Sequence, residues 1–228
     1  MKTGIPFVLI LMTTDVVLNY ILICVLCYLI GAIPFAHILV KKKHKLIIAE
    51  LGSGNVGAMN TFEVTKSKAT GISVFLLDFL KGCIPTLILT EVLILSLPLI
   101  ILPLSLIVLG HNYSIFLKFK GGRGLATAAG IFLVINFLLV IVWCLIFVIT
   151  TRIKKNVHIG NVVASFLMPF PLLIAQNFFY KFTYGSGEIG SIKLTIEFLF
   201  ILSSSICLII LLKHVQPVVE LIKQKLNK

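Results

Sequence analysis

The sequence predicts an all-α membrane protein, a polytopic bundle of about seven helices that forms one domain over residues 1–228. Apolar residues make up 59% of the chain and charged residues only 12%, which leaves too few polar side chains to cover a soluble domain of this length. Several apolar runs reach the roughly 20 residues that a helix needs to cross about 30 Å of hydrocarbon. Alternating segments of about 10 residues, typical of membrane β-strands, are absent, so helices are expected.

Six apolar segments are candidate membrane spans. The residues before them, 1–15, are expected to form an N-terminal extension, separated from the first span by Thr13, Thr14 and Asp15. The cysteines behave as small hydrophobic residues in apolar segments, and no Cys/His cluster has metal-ligand spacing, so we expect neither a metal nor a cofactor. The candidate spans cover residues 16–40, 69–90, 92–109, 125–151, 159–176 and 192–212.

Positive charge dominates the ionisable residues, with 20 Lys and Arg against 8 Asp and Glu. The cations cluster in short loops, which is typical of membrane orientation and argues against nucleic-acid binding. Because Lys and Arg favour the cytoplasmic side, we expect a cell-membrane protein with the N-terminus and the turn at Glu91 outside and the C-terminus in the cytoplasm. The cytoplasmic clusters are residues 41–45, 118–123, 152–155 and 213–228.

This charge pattern requires segment 125–151 to leave the cytoplasmic face and return to it. A helix over the whole segment rises only about 40 Å, too little for two full crossings. Asn136 is the only strongly polar residue near its middle, which predicts two short helices bent back around this residue. The alternative is a six-span protein with one basic cluster outside.

A first glycine-rich loop, residues 50–60, reads ELGSGNVGAMN. Glycine lets backbone N–H groups approach a ligand closely, and clustered N–H groups form an anion-binding concavity. An ordinary turn between helices is the alternative, but the loop contains more glycine and asparagine than a turn needs. The expected contacts with an anion are Gly52, Ser53, Gly54, Asn55, Gly57 and Asn60.

A second glycine-rich loop lies within residues 110–130, GHNYSIFLKFKGGRGLATAAG. A helix is predicted to start directly after its glycines, and a helix N-terminus favours anions. Arginine adds a bidentate fork suited to phosphate. Small residues at 122, 126 and 130 also predict close helix packing, which is compatible with ligand binding. The expected contacts with an anion are Gly121, Gly122, Arg123 and Gly124.

Two ionisable residues, Asp78 and Lys81, lie within a predicted span. Their spacing of three places them on one helix face. Ionisable residues inside a membrane are functional candidates, but an ion pair that satisfies itself explains them equally well. The sequence leaves both interpretations open.

Three stretches of the chain resemble the acyl-phosphate-dependent glycerol-3-phosphate acyltransferases, the PlsY family. These stretches are GSGNVGAMN, LLDFLKG and the loop sequence 110–130, and YLIGAIPFAHIL at residues 28–39 also resembles the first span of the family. Val56 and Met59 depart from the first motif, and Arg123 stands where lysine is usual. The resemblance covers nearly the whole chain and implies seven spans with both glycine loops on the cytoplasmic side.

The resemblance implies transfer of an acyl group from acyl phosphate to the sn-1 hydroxyl of glycerol 3-phosphate, which forms lysophosphatidate in phospholipid biosynthesis. An acyl phosphate is already activated, so the protein must mainly hold two anions and orient a hydroxyl group beside membrane lipid. By resemblance, Arg123 clamps a phosphate and Ser53, Asn55 and Asn60 bind phosphate groups. The candidate catalytic residues are Ser53, His111 and Asn112.

Two further departures from the family affect the expected phosphate clamp. Glu63 stands where an arginine is usual, and the third motif, His-Arg-x-Asn, retains only its histidine in the segment 214–217. One alternative is an enzyme for another phosphorylated alcohol, and another is a non-enzymatic binder or transporter of phosphorylated lipid intermediates. For an enzyme that acts on glycerol 3-phosphate, we hypothesise that the phosphate clamp is redistributed onto Lys66, Lys68, Lys213 and His214.

Overall fold

The computed structural model describes residues 14–187 and 191–226, with the side chains of 221, 222 and 224–226 outside the description. Throughout these residues the regular structure is helical, as the composition predicts. The helices are α1 Thr14–Ala32, α2 Phe35–His44, α3 Ala58–Thr65, α4 Lys68–Leu87, α5 Leu97–Asn112, α6 Leu125–Lys154, α7 Val157–Leu167, α8 Pro171–Ile174, α9 Gln176–Tyr180 and α10 Ile192–Leu226.

Within the described residues, five helical segments are long and apolar enough to cross a membrane, and α5 is a shorter apolar helix. The first segment is interrupted between α1 and α2, because Pro34 has no backbone N–H to continue the helix. Thr14 and Asp15 already lie in the first turn of α1, where the Asp15 carboxylate favours the helix N-terminus. The helix therefore starts before the expected boundary at residue 16, while residues 1–13 of the predicted extension lie outside the description.

Helix α6 folds back on itself at Asn136, whose φ of −164° and ψ of 98° are not helical. A straight helix of this length would separate its ends by about 45 Å. Instead, Arg123 before the helix contacts His158 after it, with 3.4 Å between Nη1 and Nδ1. The two ends therefore lie on the same side of the bundle, and the prediction of two short helices around Asn136 is confirmed.

The side chain of Asn136 explains the position of this bend. Its Nδ2 donates to the carbonyl oxygen of Phe179 at 2.9 Å and to Thr183 Oγ1 at 2.8 Å, while its Oδ1 accepts from the backbone N–H of Leu138 at 3.2 Å. An interruption inside the bilayer leaves backbone groups without helical partners, and a buried amide that donates and accepts can replace them.

Glycines allow the spans to approach one another at backbone distance. A Cβ at Gly82 would collide with the carbonyl of Thr127, and one at Gly130 would collide with the carbonyl of Phe79. These two positions seat α4 against α6, and one of them, Gly130, belongs to the predicted small-residue face. Gly31 and Gly110 similarly seat α1 against α5. The packing brings the ends of α3, α5, α6 and α7 together around the two glycine loops.

Candidate functional site

Asn60 organises the first glycine loop from inside. It is 1% exposed, its Oδ1 accepts from the backbone N–H of Ser53 at 3.0 Å, and its Nδ2 donates to the carbonyls of Leu51 and Asn55 at 3.1 and 2.9 Å. Because the side-chain amide of Asn60 is hydrogen-bonded to backbone groups of the loop, Asn60 stabilises the conformation of the loop. Gly52 and Gly54 have φ of 58° and 68°, a left-handed conformation that favours glycine.

The second glycine loop packs against the end of α5 and against the first loop. The backbone N–H of Gly122 donates to the carbonyl of His111 at 3.0 Å, and that of Val56 donates to the carbonyl of Gly121 at 3.3 Å. A Cβ at Gly122 would collide with the imidazole Nε2 of His111. Gly124, at φ of 80°, is the N-cap residue that directly precedes α6. These contacts hold the two loops beside each other.

Two cavities open at the junction of these loops. The first, of about 550 Å³, contains the buried groups Asp78 and His111, and the second, of about 520 Å³, is bordered by Lys120 and Lys213 on the loop and on α10. Four residues line both cavities, so ligands in the two cavities would meet at them. The shared residues are Ser53, Asn55, Arg123 and His158.

An apolar cavity of about 280 Å³ continues from the first cavity between α4, α6 and α10. It is lined almost wholly by hydrophobic side chains, among them Phe79, Phe132 and Met168. It shares Phe75, Leu125, Ala126 and Trp143 with the first cavity. The site thus joins a polar junction to a lipid-like space.

Arg123 is the cation at the centre of this junction. It is partly buried, and His158 lies within 3.4 Å of its Nη1. Burial lowers the pKa of the Arg123 guanidinium, while the nearby carboxylates of Glu63 and Glu220 raise it. The group remains charged, because arginine does not deprotonate in proteins. A bound phosphate would therefore find a fixed positive charge here.

Asp78 and Lys81 form a buried ion pair, of which Asp78 lines the first cavity. Their side chains are 4% and 3% exposed, and Lys81 Nζ lies 2.9 Å from Asp78 Oδ1. Lys81 also donates to the carbonyl of Ile33 at 3.0 Å, at the break between α1 and α2. Asp78 Oδ1 is 3.6 Å from His111 Nδ1. The ion pair therefore satisfies itself, as one of the two interpretations expects, and a functional role of Asp78 at the cavity stays a prediction.

Most of the sequence-predicted residues line these cavities. His111, Gly57, Asn60 and Gly124 border the first cavity, although Asn60 is almost wholly covered. Gly54, Gly121 and Gly122 border the second cavity. Ser53, Asn55 and Arg123 border both.

Five predicted residues line neither cavity: Gly52, Lys66, Lys68, Asn112 and His214. Asn112 is fully buried and its Nδ2 donates to the carbonyl of Ile209 at 3.0 Å, which ties α5 to α10. His214 is also fully buried, and its Nδ1 donates to the carbonyl of Ile210 at 2.9 Å. Lys66 and Lys68 are exposed at the junction of α3 and α4. In the described structure Asn112 and His214 hold helix backbone, and the predicted contacts of all five residues with substrate stay predictions.

Sequence reasoning did not assign a role to His158, Lys120 or Glu220. His158 follows a basic cluster and the helix-capping residue Asn156, whose Oδ1 accepts from the His158 backbone N–H at 2.9 Å. A cap marks a helix start but says nothing about which loop that start faces. Among the described residues, no group of three or more His, Cys, Asp or Glu side chains could hold a metal ion.

Comparison with known proteins places this site in a family. The family model for glycerol-3-phosphate acyltransferase matches residues 21–224. The glycerol-3-phosphate acyltransferase of Pelagibacter ubique is 36% identical over 162 residues, which cover 71% of this chain and 82% of the relative. The enzyme of that name from Anaplasma phagocytophilum is 36% identical over 210 residues, which cover 92% of this chain and 98% of the relative.

Solved structures of the integral membrane enzyme PlsY have the same fold. Its glycerol 3-phosphate form superposes with a TM-score of 0.72 at 26% identity, covering 90% of this chain and 93% of that chain. Its lysophosphatidic acid form gives a TM-score of 0.71 at 27% identity over the same shares. The sequence match spans both glycine loops, and the structural match covers most of the helical bundle. The chain therefore belongs to the glycerol-3-phosphate acyltransferase family and is an integral membrane acyltransferase of phospholipid synthesis.

Proposed function

We propose that this protein transfers an acyl group from acyl phosphate to the sn-1 hydroxyl of glycerol 3-phosphate, releasing lysophosphatidate and inorganic phosphate. The observation that carries the proposal is the pair of cavities that meet at Arg123, one of which continues into an apolar space. This arrangement suits a donor with one phosphate and one hydrocarbon chain, beside a small phosphorylated acceptor. The PlsY structures in glycerol 3-phosphate and lysophosphatidic acid forms support the same acceptor and product.

The first cavity and its apolar extension fit the donor. A hydrocarbon chain would lie along Phe75, Leu125 and Trp143, which border both spaces, since burying apolar surface is favourable. The acyl carbonyl would then lie near the junction, where Ser53 and Arg123 border both cavities. An acyl phosphate needs no further activation, so orientation and charge neutralisation carry the catalysis. The new ester C–O bond forms as the bond to phosphate breaks, and the hydroxyl proton leaves with the phosphate.

The second cavity fits the phosphate of the acceptor. Lys120, Arg123 and Lys213 supply three cations around it. Lys213 Nζ lies 4.1 Å from the centre of the Tyr113 ring, a cation–π contact that restrains the lysine before any ligand binds. Lys213 thus supports the hypothesis of a redistributed clamp, whereas Lys66 and Lys68 do not line the cavity.

Two carboxylates favour a second candidate acceptor. Glu63 borders the first cavity and Glu220 borders the second, and like charges weaken the binding of a dianionic phosphate. A phosphorylated alcohol that carries an amine or extra hydroxyl donors would meet these groups more favourably. The choice between this acceptor and glycerol 3-phosphate is decided by assay.

We place both glycine loops, and the C-terminus, on the cytoplasmic side of the cell membrane and the N-terminus outside. The folded-back α6 supports this arrangement, because it returns the cluster at 152–155 to the side of the bundle that holds Arg123. The basic loops then share one face, as the positive-inside rule requires. Both substrates would reach the site from that face or from the adjoining leaflet.

The decisive experiment uses the purified full chain in lipid nanodiscs with labelled glycerol 3-phosphate. Acyl phosphate and acyl-CoA are compared as donors, and a phosphorylated amino alcohol is compared as acceptor. We expect labelled lysophosphatidate with acyl phosphate only. We also expect Lys213→Met to raise KM for glycerol 3-phosphate about tenfold, with Lys66→Met as the matched control that leaves it unchanged. Binding of glycerol 3-phosphate without product from either donor would contradict the proposal; product from the phosphorylated amino alcohol would then favour the second acceptor, and no product from either acceptor would favour a binder or transporter.

A further inference from the structure

His158 occupies a position at the site that the proposed reaction does not yet use. It lies in the first turn of α7 and lines both cavities. The backbone N–H groups of His158 and Ile159 both donate to the capping amide of Asn156, at 2.9 and 3.1 Å. The imidazole is thus carried on a fixed helix start, and its Nδ1 lies 3.4 Å from Nη1 of Arg123.

The chemistry of the two groups assigns the roles in this contact. A guanidinium has only donors, so Arg123 must donate and His158 Nδ1 must accept. An imidazole nitrogen accepts only when it carries no proton, so His158 must be neutral, with its proton on Nε2. The contact therefore depends on one charge state and one tautomer of the histidine.

We propose that His158 is a positioning residue, whose neutral imidazole holds the Arg123 guanidinium at the junction of the two cavities. This inference rests on the proposed function, in which Arg123 neutralises phosphate groups at that junction. Without the contact, the long arginine side chain could turn towards Glu63 or Glu220, the two carboxylates that act on it electrostatically. An arginine paired with either carboxylate would be less available to a phosphate.

The charged and titratable groups around His158 lie on or beside three helices, α3, α6 and α10. Arg123 precedes α6 and Lys155 follows it, Glu63 lies on α3, and Glu220, Lys213 and His214 lie on α10. Protonation of His158 would place a second cation against Arg123 and remove the acceptor lone pair. The neutral form is the competent one, so activity should be lost as the pH falls through the titration of His158 and regained as it rises.

The test compares His158→Leu, which removes the acceptor, with His158→Gln, which keeps an acceptor oxygen but cannot titrate. We expect His158→Leu to lower kcat/KM about tenfold, the lower end for a hydrogen bond from a charged donor, because this one is long. His158→Gln should stay within about threefold of wild type at pH 8 and lose less activity than wild type between about pH 8 and pH 5.5. His44→Gln is the matched control, because His44 bonds to Thr70 outside both cavities and should keep the wild-type profile.

Two further readouts separate positioning from a merely structural role. In an Arg123→Ala background, His158→Leu should cost nothing more, because the group that it positions is gone. Binding of inorganic phosphate, measured by calorimetry, should weaken about tenfold in His158→Leu even if no acyl transfer is found. This binding measurement therefore tests the role of His158 independently of the proposed acyl transfer. Wild-type pH dependence in His158→Gln, or additive losses in the double variant, would overturn the proposal.

Discussion

Replacing Lys81 by methionine removes the cation of a buried ion pair, while the methionine side chain keeps nearly the length and apolar character of the lysine stem. In the native protein Lys81 Nζ lies 2.9 Å from Asp78 Oδ1, and the two side chains are 3% and 4% exposed. The substitution therefore leaves a carboxylate without its main partner in a site that water hardly reaches. It also removes the donor to the Ile33 carbonyl at the break between α1 and α2.

The expected cost is about 3–5 kcal/mol in free energy of unfolding, the range for breaking one side of a buried ion pair. His111 Nδ1, 3.6 Å from Asp78 Oδ1, limits the loss because it can take up a proton and share the charge, so we expect the lower end. In the double variant Asp78→Asn, Lys81→Met no buried charge remains. It should recover most of the loss, to within about 1–2 kcal/mol of wild type.

The assay follows unfolding in detergent by tryptophan fluorescence, because Trp143 is the only tryptophan in the chain. Its indole N–H donates to Ser165 Oγ at 3.1 Å, so its emission reports whether α6 and α7 remain packed. Lys193→Met is a control, since that lysine is largely exposed and its pair with Glu197 spans 4.0 Å. Equal stability of Lys81→Met and wild type, or a double variant that is weaker than the single one, would refute the reasoning.

Three further outcomes are expected. Arg123→Ala should lower kcat/KM about 30- to 1000-fold through loss of roughly 2–4 kcal/mol of phosphate stabilisation, while Arg123→Lys keeps partial activity; a normally active alanine variant would reduce the second loop to packing. Gly122→Ala should lower kcat at least about tenfold, because the added Cβ would collide with the His111 imidazole. An unchanged kcat would show that the loop shifts to accommodate the methyl group. In a cysteine-free background, a cysteine at position 155 should react with an impermeant reagent only from the cytoplasmic side; labelling from outside would leave six spans.

Composition by itself determined the membrane class, and charge predicted the fold-back of segment 125–151. A sequence that is 59% apolar has too few polar side chains to cover a water-soluble fold, so its surface must face lipid. Four basic clusters and one anionic turn then require segment 125–151 to return to the side of the membrane on which it starts. Asn136 was then the one residue that could support a bend, because its amide both donates and accepts. The glycine loops were also recognisable from their composition, because glycine lets backbone N–H groups approach a ligand closely, and the structure has Gly52 and Gly54 in the left-handed conformation that favours glycine.

Only the tertiary structure decided which polar side chains border the site and which support it. Asn55 and Asn60 are alike in sequence, yet Asn55 lines both cavities while Asn60 is occupied by three loop groups. His158 joins Arg123 across 35 residues because α6 folds back and α7 starts beside the second loop. The local sequence pattern indicates whether a residue lies in a helix or in a loop, but the atoms that pair with its hydrogen-bond donors and acceptors come from other helices. Their identity depends on how those helices pack.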